Sequence, residues 1–188
     1  IIVGQACGTN ALAAVGSTGN LTNLVVNFYV GLSTGASVVI AQYYGAHNKG
    51  KIHQAVHTSY MLAIVSGIIM MLFGLFFSYQ CLDAIGVPHD ILNDASLYMK
   101  LYFLGMIPGA IYNIGSGILR AVGDSKRPLY YLIICSIVNV VFDFVLVVIL
   151  HKGIAGAAIA TFIAQTVCAI LVTLQLMFSK DVYQLTLS

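Results

Sequence analysis

The sequence predicts an all-α membrane protein with five transmembrane helices, on the evidence of its composition and its apolar runs. Of 188 residues, 60% are hydrophobic and only 7% are charged, and the mean hydropathy is +0.95. A soluble domain carries roughly a quarter charged residues. The 8 basic and 6 acidic side chains are therefore too few to cover a water-facing surface, and lipid must surround most of the chain.

Five apolar runs are long enough to cross a bilayer as helices, which takes roughly 20 residues. They lie at about residues 21–44, 55–79, 95–119, 129–150 and 154–178. The segment before residue 21 is too polar and glycine-rich for a further span, and the short connections leave no room for a soluble domain. Since the sequence begins with neither a methionine nor a signal peptide, we expect a chain truncated at its start.

The basic residues predict the orientation, because loops rich in Lys and Arg stay in the cytoplasm. Six fall on one side of the five-span arrangement: Lys49, Lys51, Arg120, Lys126, Arg127 and Lys180. The other side carries Asp83, Asp90, Asp94 and Lys152, with Lys100 near it. We therefore expect residues 1–20 outside and the C-terminus in the cytoplasm, in the plasma membrane. No basic patch with interleaved aromatic residues is present to bind nucleic acid.

The cysteines and histidines do not predict a metal centre. The cysteines at positions 7, 81, 135 and 168 are far apart, so we expect neither a disulfide framework nor a zinc site. His53 and His57 are one helical turn apart, a spacing that can hold a metal. Two interfacial histidines that face lipid headgroups fit better, because no third ligand is evident nearby.

Small residues and one proline predict details of helix packing. Small residues recur in 31–35 and 156–160, and we expect them to let neighbouring helix backbones approach closely. Pro108 lies in the third span with Gly105 and Gly109 around it. A missing backbone hydrogen bond and weak local helicity predict a kink or hinge at this point.

Asp143 is the lone carboxylate in the apolar span 129–150. Ionisable groups at that depth are rare and usually functional. Asn139 lies one turn earlier on the same helix face. The pair predicts half of a cation or proton site.

The turn after the third span contains helix-ending signals and a recognisable motif. Arg120 can neutralise the carbonyl end of a helix, Gly123 can take a left-handed cap, and Pro128 fits the first turn of the next helix. The run 115–128 also resembles the turn between the fourth and fifth helices of the multidrug and toxic compound extrusion (MATE) transporters. Residues 31–37 and 41–46 resemble the second helix of that family and its cytoplasmic end, and residues 153–161 resemble the start of its sixth helix.

The resemblance implies a larger protein. The family has twelve helices in two lobes of six, so residues 1–188 would form a single incomplete lobe that contains helices two to six. The first helix and the C-terminal lobe of the same protein would be its partners. The implied function is a secondary antiporter that exports organic cations, drugs or other amphipathic compounds in exchange for Na⁺ or H⁺. No enzyme activity and no cofactor beyond the coupling ion are implied.

The resemblance also implies an ion site. In the family, an Asn and an acidic residue of the fifth helix act with a Thr of the sixth helix and an Asp of the first. Asn139, Asp143 and Thr161 match the first three positions. Their oxygen atoms suit a hard cation, whereas removal of a carboxyl group from water favours its protonated form. Either Na⁺ or H⁺ therefore fits, and Na⁺ at Asp143 is the one metal expected. Alternatively, Asp143 bonds to Asn139 or Thr161 only to hold two helices together.

Polarity within apolar spans predicts three residues of a substrate cavity, Asn27, Tyr112 and Asn113. Tyr112 fits a packing role equally well. Two other functions stay open. A flippase for lipid-linked oligosaccharides would need Arg or Lys in its cavity to hold pyrophosphate, and none lies in mid-membrane. A membrane enzyme would need a general acid and base pair, which is not evident beside one buried acid.

Overall fold

The computed structural model describes residue 13, residues 15–179 and residues 181–185. From residue 19 onward, these residues form helices joined by short turns, without a β-strand. The helices are α1 (Gly19–Gly45), α2 (Lys49–Ala84), α3 (His89–Leu104), α4 (Met106–Ala121), α5 (Lys126–Asp143) and α6 (Gly153–Phe178). A π-helical segment, Phe144–Ile149, continues α5. The residues Cys7 and Lys180, and most of residues 1–20, lie outside the described part.

Four of the described helices are long and apolar enough to cross a membrane: α1, α2, α5 with its π segment, and α6. Helices α3 and α4 meet at a bend of 48°, and they make a fifth span when the bent pair is taken as one. The predicted all-α membrane fold is thereby confirmed. Most of the helices run past the apolar runs, because local hydrogen bonds in the turns also fix where a helix begins or ends. At α2, for example, Asn48 accepts a hydrogen bond from the backbone N–H of Lys51 at 3.2 Å.

Large apolar side chains point outward on every span. Phe76 is 71% exposed and Phe178 is 77% exposed, and similar residues cover the outer faces of the other helices. In water such a surface would drive aggregation. In a bilayer it is the surface that lipid chains contact, and the helices must then associate through close packing and interhelical hydrogen bonds.

Helix α4 is the centre of the bundle and packs against α1, α2 and α6. Its closest approach to α1 is at Gly117, where an added Cβ would lie 3.0 Å from the Ser33 carbonyl oxygen. The Ser33 hydroxyl donates to the Asn113 carbonyl at 2.6 Å. A small residue and a hydrogen bond thus join these two helices.

The small-residue prediction is confirmed for both runs, although in residues 31–35 the close contact lies at Ser33 and not at the two glycines. A Cβ on Gly156 would lie 3.1 Å from the backbone of Leu146, so α6 does approach the π segment closely. No atom of the described residues lies within 4 Å of a Cβ built on Gly31 or Gly35. Within the described part of the chain, α1 contacts α4 through Ser33, because the face of α1 that carries Gly31 and Gly35 turns away from α4.

The bend between α3 and α4 lies at Gly105, within one turn before Pro108. Proline has no N–H to bond the carbonyl four residues earlier, so the helix opens there. The side chain of Gln165, from α6, fills the space that a Cβ on Gly105 would take. The kink is therefore present, whereas motion about Pro108 as a hinge stays a prediction.

The turn between α4 and α5 has the predicted cap. Gly123 has φ +91°, the left-handed conformation that glycine adopts without strain. Its N–H bonds the Arg120 carbonyl at 3.0 Å, and the Asp124 N–H bonds the Leu119 carbonyl at 2.9 Å. Asp124 also pairs with Arg127 at 3.3 Å.

One expectation from the sequence is wrong. Cys135 of α5 and Cys168 of α6 are joined as a disulfide, with their Cα atoms 5.9 Å apart. Their separation of 33 residues hid the pair, because the antiparallel packing of α5 on α6 brings together residues that are equally far from the connecting turn.

Candidate ion and substrate site

Side chains from α4, α5 and α6 line an open cavity of about 340 Å³. Its polar lining includes Tyr112, Asn113, Asn139, Thr161 and Gln165. The first two come from α4, the third from α5 and the last two from α6. These neutral polar groups share one space because α6 packs on both α4 and α5.

Asn139 and Thr161 meet across the α5–α6 contact, as the sequence predicts for the ion site. The Asn139 Nδ2 lies 3.5 Å from the Thr161 Oγ1. The Thr161 hydroxyl donates to the Ala157 carbonyl at 3.0 Å. Because its proton is used within α6, the Thr161 oxygen presents lone pairs to the cavity.

Asp143 lies one turn beyond Asn139, at the last residue of α5. Its Oδ1 atom is buried and has no hydrogen-bond partner among the described residues. A buried oxygen without a partner is costly and calls for an explanation such as a proton or an ion. Asp143 is not among the residues that line the cavity, so the structure joins Asn139 to Thr161 but leaves the carboxylate apart.

The backbone changes conformation directly after Asp143. Residues Phe144–Ile149 form a π-helical segment, in which the Leu150 N–H bonds the Val145 carbonyl five residues earlier at 2.9 Å. Such segments are rare and often occur at functional sites. The wider turn thus changes the backbone hydrogen-bond pattern directly next to the one acid of this span.

The three predicted cavity residues fall in two places. Tyr112 and Asn113 line the 340 Å³ cavity; the Tyr112 hydroxyl donates to the Pro128 carbonyl at 3.2 Å, and the Asn113 amide to Gly109 at 2.8 Å. Asn27 lines a different space of about 850 Å³ between α1 and α2. The structure therefore separates Asn27 from the other two, because its space lies between α1 and α2, whereas the other cavity lies among α4, α5 and α6.

Two polar residues at this site were missed from the sequence. Gln165 lies one turn after Thr161, and its buried Oε1 has no partner among the described residues. The same criterion that selected Asn27, a polar residue in an apolar span, would have found it. Tyr98 of α3 lies within electrostatic reach of Asp143. No spacing in the sequence points to that electrostatic interaction, since the two residues belong to different spans.

The histidine pair lies at the far end of α2. The His53 and His57 rings are 4.1 Å apart, and the His57 Nδ1 lies 2.9 Å from the His53 carbonyl oxygen. The described residues hold no group of three or more His, Cys, Asp or Glu side chains placed to bind a metal. In the described part of the chain, no such group supplies a third metal ligand to His53 and His57.

Comparisons with known proteins agree with one another. The MatE family model matches residues 1–145. The probable multidrug resistance protein YoeA of Bacillus subtilis is 31% identical over 166 residues, which is 86% of this chain and 36% of YoeA. The crystal structure of MATE in the bent conformation matches 99% of this chain and 42% of its own, with a TM-score of 0.93 and 27% identity.

An inward-facing multidrug resistance MATE family transporter also matches, over 97% of this chain and 41% of its own, with a TM-score of 0.91 and 26% identity. The chain therefore spans less than half the length of the proteins that it matches.

Proposed function

Because this chain belongs to the MatE family of multi-pass membrane transporters, we propose that the complete protein is a secondary antiporter and not an enzyme. It exports organic cations, drugs or other amphipathic compounds in exchange for Na⁺ or H⁺. The observation that supports the ion coupling is the buried Asp143 oxygen, which has no partner in the described part of the chain and lies one turn from the Asn139–Thr161 contact. Multidrug resistance in the name of its relative YoeA supports the export class.

The coupling ion binds at Asp143, with Asn139 and Thr161 beside it. The Asn139 Nδ2 faces Thr161, which leaves its Oδ1 for another partner. Carboxylate, amide and hydroxyl oxygens are the donors that Na⁺ takes, and the carboxylate alone takes H⁺. An acidic residue of the first helix would complete the set.

Substrate binds in the neighbouring cavity, against Tyr112 and Asn113. Neutral polar and apolar groups line this space in the described chain, without a Lys or Arg among them. Such a lining favours an amphipathic compound over a pyrophosphate, which needs cationic partners. Asn27 does not line this cavity. It would contact substrate only in the space between this lobe and the C-terminal lobe.

Alternating access comes from one lobe rocking against the other. The break at Gly105 and Pro108 lies beside Gln165, so motion there would change the shape of the cavity. The C-terminal lobe of the same protein supplies the opposing wall.

Reconstitution tests this function. The complete protein should drive uptake of a cationic dye into inside-out vesicles only when a Na⁺ or H⁺ gradient is imposed. Vesicles without protein and vesicles with collapsed gradients are the controls. Transfer of a lipid-linked oligosaccharide across the bilayer without any dye transport would instead identify a flippase.

The orientation gives a second prediction. Cysteines placed at Asn48 and Ser125 should react with an impermeant maleimide from the cytoplasm only, and one at Asn93 from outside only. The physical reason is the retention of Lys-rich and Arg-rich loops in the cytoplasm. All three substituted side chains are exposed and lie in turns or near helix ends. The reverse pattern of labelling would overturn both the orientation and the proposed direction of transport.

Thr161→Val should weaken export without abolishing it. The change removes one hydroxyl ligand and keeps the shape, so we expect a severalfold higher ion concentration for half-maximal export. Thr166→Val is the matched control, because Thr166 makes the same bond to the carbonyl four residues earlier, at 2.8 Å, but lines a separate apolar groove. Equal export by both variants would remove Thr161 from the site.

A further inference from the structure

Cys135 and Cys168 form a covalent link inside the cavity wall. Their Cα atoms are 5.9 Å apart, within the usual disulfide range of roughly 4.4–6.8 Å. Each is 4% exposed, and both line the 340 Å³ cavity. The two cysteines therefore border a space that small molecules can enter, and not only packed side chains.

The link lies next to the Asn139–Thr161 contact. Cys135 is one turn before Asn139 on α5, and Cys168 is two turns after Thr161 on α6. The Cys168 sulfur also lies 3.8 Å from the Tyr131 carbonyl oxygen. A reduced thiol at Cys168 thus has an acceptor available, so the site accommodates both the dithiol and the disulfide.

We propose that Cys135 and Cys168 are a redox-active pair, which small uncharged peroxides oxidise through the cavity. A water molecule takes roughly 30 Å³ of liquid volume, so the cavity easily admits hydrogen peroxide. The disulfide then restrains α5 against α6 beside the ion site. The effect of this restraint on ion coupling rests on the proposed antiport, whereas the oxidation of the two cysteines does not.

The chemistry balances in two steps. One cysteine loses its proton and its sulfur attacks a peroxide oxygen; the O–O bond breaks, and a sulfenic acid and one water form. The second sulfur then attacks the sulfenic sulfur; the S–O bond breaks, the S–S bond forms and a second water leaves. Two thiols are oxidised and one peroxide is reduced to two waters. A soluble dithiol reverses the reaction by exchange.

Peptide mapping tests the pair in the complete protein, with Cys7 and Cys81 replaced by serine. Membranes are treated with hydrogen peroxide or with dithiothreitol, alkylated, denatured and digested with trypsin, which cuts after Lys126 and Lys152. Peroxide should join the peptide of Cys135 to the peptide of Cys168, and dithiothreitol should separate them. The absence of the joined peptide would overturn the proposal.

A moved cysteine is the matched control. In Cys135→Ser with Ile134→Cys, the thiol moves to an exposed position that does not line the cavity. It should form little or no joined peptide under the same peroxide treatment. Joined peptide at the level of the original pair would mean that the helices cross-link without the proposed geometry, and would overturn the assignment to the cavity.

Export measurements test the restraint. Oxidised protein should export severalfold more slowly than the same protein after dithiothreitol, and Cys135→Ser should lose this sensitivity to peroxide. Equal export by fully joined and fully reduced protein would overturn the restraint. If the reduced protein does not export at all, the proposed antiport fails, and peptide mapping still decides whether the redox pair exists.

Discussion

Asp143→Asn in the complete protein should insert and fold normally but lose gradient-driven export. The amide keeps the shape of the carboxyl group and removes its ability to hold H⁺ or to neutralise Na⁺. Export should fall to the level of protein-free vesicles under both imposed gradients. Dye transport in reconstituted vesicles measures the loss, and thermal unfolding in detergent checks the fold.

A purely structural Asp143 predicts a different result. An amide can replace most hydrogen bonds of the carboxyl group, and a buried neutral group costs less than a buried charge. Stability would hold or rise, and export would persist. Asp83→Asn, at an exposed acid near the end of α2, controls for the loss of one negative charge. Wild-type export by Asp143→Asn would place the coupling site in another part of the protein.

Gly74→Ala should strongly destabilise the bundle. The ring of Phe103 occupies the space where a Cβ on Gly74 would lie, and Phe103 is 3% exposed. Either the ring or the α2–α3 contact must move. Overpacking of this kind costs about 1–3 kcal/mol and occasionally more. We expect a lower unfolding temperature and less folded protein in the membrane.

Two further variants separate the packing effect from helix propensity. Gly35→Ala adds the same methyl group where no described residue lies within 4 Å. Stability should hold or rise, since alanine favours helix by about 1 kcal/mol. Gly74→Ala combined with Phe103→Ala should recover part of the loss, because the smaller side chain frees the space. An unfolding temperature of Gly74→Ala equal to that of the unchanged protein would contradict the close contact of α2 and α3.

Much of the candidate site was predictable because burial of polar groups in lipid is costly. Asn139, Asp143 and Thr161 are conspicuous in apolar spans, and helix periodicity places the first two on one face. The contact of Asn139 with Thr161 at 3.5 Å agrees with the predicted grouping. Gln165 satisfied the same criterion and was overlooked. Tyr98 was not predictable, since its nearness to Asp143 depends on how α3 lies against the other spans.

The sequence by itself determined the fold class, the positions of the apolar spans and the cap at Gly123. The reason is local: a bilayer sets the length of an apolar helix, and a left-handed turn requires a glycine-like residue. Only the tertiary structure decided that Cys135 meets Cys168, that Asn27 lies apart from Tyr112, and that Gly117 rather than Gly31 brings α1 to α4. Each depends on the rotation and order of packed helices. In lipid, apolar faces look alike on every side of a helix, so hydropathy cannot specify which face meets which neighbour.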